Sequence, residues 1–103
     1  MIEKIRKIIN QYDFYQSLLT EKQRKYIESY YEDDLSLAEV AEKFNVSRNA
    51  VHDNLKRVEI LLDEYECKLN LVEKYQRRSK LIEDIKSNVS EDVHILLDEL
   101  EDI

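Results

Sequence analysis

Among its 103 residues the chain has no glycine and no proline. A β-rich chain of this length needs both for its tight turns, because they supply the positive φ and the preset φ those turns demand. Without them the chain is left with helices joined by short connections. Asparagine is then expected at the helix ends, since its short polar side chain tolerates the left-handed conformation better than most residues. The reading is an all-α fold of five or six helices. Length alone allows one helical domain over 1–103, with a helix-turn-helix unit at 20–58 and C-terminal helices at 59–103.

The apolar pattern places the elements. Ile2, Ile5, Ile8, Ile9, Tyr12, Tyr15 and Leu19 recur at three- and four-residue spacing, which predicts a first helix over roughly 2–17. Thr20 is the expected N-cap of the second helix, with Gln23 three residues on as its capping-box partner. That helix runs to about Tyr31 and buries Tyr26, Ile27, Tyr30 and Tyr31. Helical spacing makes these tyrosines core rather than a stacking platform for bases. After the acidic turn Glu32–Asp34, Ser36 and Glu39 form a second capping box. Leu37, Val40, Ala41 and Phe44 are the inner face of helix three, Asn45 ends it, and Ser47 caps helix four.

Helix four is predicted from Arg48 to about Lys68. At 100° per residue Val51, Leu55, Val58 and Leu62 share one side. Asn49, Asp53 and Lys56 face the other way, flanked by His52 and Arg57. A fifth helix follows over 70–89, and Ser90 caps a last one carrying Val93, Leu96, Leu97 and Leu100. Helices four to six carry more apolar residues on outer faces, Ile60 and Leu61 among them, than one short chain covers, so a homodimer is expected.

Two short helices, a tight turn and a second helix with a polar N-terminal half make the unit that enters a DNA major groove. The run LTEKQRKYIESYYEDDLSLAEVAEKFNVSRNAVHDNLKR resembles region 4 of sigma factors. Through DFYQSLLTEKQ (13–23), LAEVAEKFNVSRNAVHDNLKR (37–57) and the long charged helices after them, nearly the whole chain resembles the YlxM family of small helix-turn-helix proteins. The resemblance implies a sigma region-4-like helical fold, no catalytic activity, and a regulatory part in the signal recognition particle pathway. On the residues themselves, Arg48, Asn49, His52 and Lys56 are the candidates for the groove. Ser47, Lys25, Lys43 and Arg57 are the candidates for phosphates.

Charge sets a second reading beside DNA binding. From Thr20 to Arg57 there are seven bases and eight acids, so the reading head is net negative. DNA affinity rests on neutralising phosphates, and such a head binds weakly unless dimerisation doubles it or one specific site confines it. Residues 91–103 carry six acids and no Lys or Arg, while the remaining residues carry 17 acids against 16 bases. The alternative is therefore a modulator that binds the signal recognition particle's GTPase or RNA without binding DNA. The acidic end would meet a basic protein surface, or Arg77, Arg78 and Lys80 would meet RNA.

Other chemistries lack their residues. A lone Cys67 offers no disulfide and no multi-cysteine zinc site; it reads as a small half-buried apolar residue. His52 and His94 stand far apart with no cysteine or carboxylate at ligand spacing, and read as surface histidines. With no glycine there is no phosphate loop. No catalytic residue, metal or cofactor is assigned. With no leader-like start and no long apolar run, a cytoplasmic protein that does not engage membranes is expected.

Overall fold

A computed structural model describes residues 2–103. Six α-helices and no strand occur among the described residues: α1 (Ile2–Tyr15), α2 (Glu21–Ile27), α3 (Leu37–Phe44), α4 (Arg48–Leu69), α5 (Leu71–Lys86) and α6 (Glu91–Asp102). The chain forms two compact units, the first ending at Leu69 and the second running from Asn70 to Ile103.

In the first unit α1, α2 and α3 each pack on α4. The apolar side of α4 is the common floor: Val51, Leu55, Val58 and Leu62 are all buried. Above it lie Ile8, Tyr12, Tyr15, Leu19, Tyr26, Ile27, Val40 and Ala41, also buried. Fully burying one such aliphatic side chain contributes about 1.5–3 kcal/mol, so this stripe outweighs any single polar contact in the unit. The first helix is shorter than its apolar pattern. It tightens into a 3₁₀ turn at Gln16–Leu18, which lets Leu19 turn inward while Ile2 and Ile5 stay exposed.

Polar anchors fix α1 and the second helix against α4. Gln11 Nε2 donates to Asp63 at 3.0 Å, and the Tyr15 hydroxyl donates to Glu66. The Tyr31 hydroxyl donates to Glu59 at 3.0 Å, and Tyr12 donates to Glu28. Burial first, then the facing carboxylate, pushes the Tyr12 and Tyr31 phenols well above their ordinary range, so both remain donors. Tyr30 and Tyr31 are half-buried rather than core: their rings meet edge to face, 5.0 Å between centroids, and the Tyr31 hydroxyl reaches Glu59 at the rim.

The connections follow from the missing glycine. Both capping boxes form: Thr20 with Gln23, and Ser36 with Glu39, each with two reciprocal hydrogen bonds. Three non-glycine residues hold φ near 55°: Asp34, Asn45 and Asn70. Asn45 ends α3 as expected. Asp34 was not foreseen; a π-helical turn over Glu28–Glu32 extends the second helix into the acidic stretch, and Asp34 then reverses the chain. Asn70 separates α4 from α5, and α5 stops at Lys86 rather than 89, because Ser87 and Asn88 turn their side chains back onto the Asp84 carbonyl.

In the second unit α5 and α6 pair as an antiparallel hairpin. Ile82 and Leu97 are buried. Lys86 pairs with Asp98, and His94 Nε2 lies 2.7 Å from the Lys86 carbonyl oxygen. His94 is thus a half-buried hairpin contact rather than a surface histidine. Cys67 is exposed, not half-buried, and Leu61 is half-buried while Ile60 is exposed.

Two measurements check this account. Asn45→Ala is expected to cost about 1 kcal/mol in denaturant unfolding, whereas Asn45→Gly costs nothing, because only the Cβ opposes the left-handed conformation. The hydrogen bond from Gln11, then Lys7, holds the Asp63 carboxyl below its ordinary value. Its contribution is therefore present above the unfolded pKa of about 3.9 and is lost as pH falls through the lower folded value. The stability gap between wild type and Asp63→Asn should accordingly close on acidification.

Candidate nucleic-acid interface

The turn between α3 and α4 is set by three local interactions. Asn45 adopts the left-handed conformation (φ 55, ψ 49), the Val46 amide donates to the Ala41 carbonyl at 3.0 Å, and the Ala50 amide donates to Ser47 Oγ at 3.1 Å. These close α3 and open α4 with three residues, Asn45, Val46 and Ser47, between them. Ala41 is buried and small, which allows the helices to approach.

With one side of α4 committed to the core, the remaining side of its first turns is solvent-facing. Arg48, Asn49, His52, Asp53, Lys56 and Arg57 are all exposed. Ser47, Arg48, Asn49 and His52 gather round one shallow hollow floored by Leu37. His52 and Lys56 also border a second hollow with Lys4, Tyr30, Tyr31 and Glu59. Four candidates for the groove thus lie on one helix face within two turns, presenting an amide, a guanidinium, an imidazole and an ammonium.

The candidates for phosphate contact are less uniform. Ser47 already spends its Oγ as the acceptor that caps α4, but its hydroxyl proton remains to donate. The Lys43 ammonium donates to the buried Ser29 Oγ at 3.1 Å and lies 5.3 Å from the Phe44 ring centroid. Lys25 pairs with Glu21 at 3.3 Å, an exposed i,i+4 bridge that breaks at little cost. Lys25 shares a hollow with Lys22, Thr20, Tyr26, Phe44 and Val46, away from the Ser47–His52 group. Lys22, three residues before Lys25, lies on the same side of α2 and borders the same hollow.

The electrostatics temper this surface. Asp53 lies 3.6 Å from His52 Nδ1, so a carboxylate stands in the middle of the polar face. Glu59, nearly two turns further along α4, is engaged by Tyr31 and by Lys4 at 3.5 Å. Among the described residues no group of three or more His, Cys, Asp or Glu is arranged to hold a metal ion, and no helix is long and apolar enough to cross a membrane.

If the interface is as drawn, Ser47→Ala removes the acceptor that caps α4. It should cost about 1 kcal/mol of stability in thermal or denaturant unfolding. Asn49→Ala at the neighbouring exposed position should change stability by less than about 0.5 kcal/mol.

Comparison with known proteins agrees with this architecture. Residues 2–102 match the model of a family described as "Putative helix-turn-helix protein, YlxM / p13 like". A UPF0122 protein of Bacillus thuringiensis (strain Al Hakam) is 54% identical over 95 residues, covering 92% of this chain and 86% of the relative. Counterparts in Bacillus cereus (strain 03BB102) and Bacillus anthracis (strain A0248) show the same identity and coverage. An all-α chain with its α3–turn–α4 unit closed by Asn45 and opened by Ser47, matched along almost its full length, belongs to this family of YlxM / p13-like helix-turn-helix proteins.

Proposed function

We propose that the protein is a cytoplasmic regulator that binds DNA through α4 as a pair of copies, acting by binding rather than by catalysis. The observation that carries this reading is the exposed polar face of α4. Arg48, Asn49, His52 and Lys56 stand on one side of a helix whose opposite side is locked into the core. A rigidly seated helix with a polar N-terminal half is what major-groove readout requires. Asn49 has the amide that pairs with adenine, and Arg48 the fork that pairs with guanine or grips phosphate. Ser47, Lys25, Lys43 and Arg57 are the phosphate partners; Lys43 must first leave Ser29, which weakens its share.

The test is binding of the full chain to a library of genomic fragments across a salt series. Affinity should fall steeply with salt, and Arg48→Ala and Lys56→Ala should each weaken binding and reduce the salt slope by about one if they contact phosphate. Binding to no fragment, or binding indifferent to salt, removes the reading.

A second reading is favoured by one specific observation: α6 and its terminus carry six acids with no Lys or Arg. Such a helix suits a basic protein surface and repels phosphates. In this reading the chain modulates the signal recognition particle through its GTPase or RNA, with the helix-turn-helix as scaffold. Replacing the exposed Glu91, Asp92, Glu99 and Asp102 by their amides spares Leu97 and the Lys86–Asp98 pair, so the hairpin is kept. Pull-downs with both chains then separate the readings. Neutralisation should strengthen DNA binding, but it should weaken retention of the particle's GTPase.

A further inference from the structure

The hollow on the polar face of α4 has a floor that phosphate binding does not explain. Ser47, Arg48, Asn49 and His52 surround it, and beneath them lies Leu37, the first residue of α3. At 100° per residue Leu37 stands on the same side of α3 as the buried Val40 and Ala41. It is only half-buried, so part of the side chain joins the core and the rest surfaces between α3 and α4. The capping box fixes its place: Ser36 Oγ accepts from the Glu39 amide at 3.1 Å, and the Glu39 carboxylate accepts from the Ser36 amide at 3.0 Å. That second bond also turns Glu39 back onto its own helix start. On α4, Asp53 lies about 100° round the helix from His52, on the outer side. Among the described residues no carboxylate borders the hollow.

A leucine neither donates nor accepts a hydrogen bond. A phosphate oxygen or a polar base edge pressed onto it would lose water and gain no partner. The group that suits this floor is small and apolar, carried on a polar body that the rim can bind. The major groove of DNA presents such a group in the C5-methyl of thymine. Cytosine methylated at C5 presents the same group. Asn49 on the rim carries the amide that pairs bidentately with adenine, whose partner in the duplex is thymine. We infer that the Leu37 hollow seats the C5-methyl of a pyrimidine, with thymine its ordinary source, and that Leu37 is a specificity-determining residue of the reading face. The inference rests on the DNA-binding reading and names what that face selects.

The experiment uses the full chain and the tightest fragment from the salt series. Each thymine in turn is replaced by deoxyuridine, which lacks only the methyl. At least one replacement should weaken binding about fourfold, the loss expected for one buried methyl group. In Leu37→Ala the same replacement should change binding by less than about twofold, whereas Leu37→Met keeps an apolar floor and should keep the discrimination. At that position a C·G pair should bind more tightly when its cytosine carries the C5-methyl, and this gain too should vanish in Leu37→Ala. Arg48→Ala, by contrast, should weaken thymine and deoxyuridine duplexes alike. Circular dichroism confirms that each variant remains helical, and the deoxyuridine scan on the wild type needs no variant. Deoxyuridine tolerated at every position overturns the inference, as does a loss that persists unchanged in a folded Leu37→Ala; both leave DNA binding itself standing. Binding to no fragment removes the DNA-binding reading and this inference with it.

Discussion

The first unit depends on the burial of one side of α4. Val51, Leu55, Val58 and Leu62 sit on a single stripe, and three other helices have no other surface in common. That stripe explains the order of everything above it. Helix α3 crosses at Ala41, where a larger side chain would hold it off, and α1 lies along the later turns through Tyr12 and Tyr15. Because the stripe takes one side of the helix, the polar residues of the first turns have only the outside left. The exposed face of Arg48, Asn49, His52 and Lys56 is thus a by-product of core packing, and its rigidity is inherited from the core.

The polar contacts have a different task. Burial of apolar surface is indifferent to small rotations and slides, whereas Gln11–Asp63, Tyr15–Glu66 and Tyr31–Glu59 are directional. They choose one register of α1 and of the second helix on α4. The phenols of Tyr15 and Tyr31 and the Nε2 of Gln11 each find a carboxylate on α4 at the core edge, whereas the Gln11 Oε1 is buried without a hydrogen-bond partner. The same carboxylates lower the charge of the reading helix. An acidic register mark on α4 and a strong field for phosphates are in conflict, and this molecule has favoured the first.

The second unit solves its packing problem incompletely by itself. Two helices cannot enclose a core, and here only one edge is closed by polar bonds. The mid-hairpin residues Ile82 and Leu97 are buried while their neighbours Leu81 and Leu96 are not. The hairpin thus leaves Leu81, Ile85, Leu96 and Leu100 exposed on the side away from the Lys86–Asp98 pair.

Helix existence and type were legible along the whole chain, since zero glycine and zero proline remove the alternatives and the apolar spacing names the buried sides. The two capping boxes and the Asn45 reversal were legible for the same local reason: each needs only residues within one turn of one another. The exposed face of α4 followed from its apolar stripe. What only the tertiary structure decided were features in which distant residues compete. The widened turn at Glu28–Glu32 and the reversal at Asp34 place the second helix against α4, and nothing local demanded them. Lys43, a free base in the sequence, is drawn to Ser29 fourteen positions earlier. His94 turns inward to the end of α5 because the hairpin brings an uncapped carbonyl within reach. Local periodicity fixes which side of a helix is apolar; which partner a polar side chain finds depends on what the fold carries to it, and that is a property of the assembled chain alone.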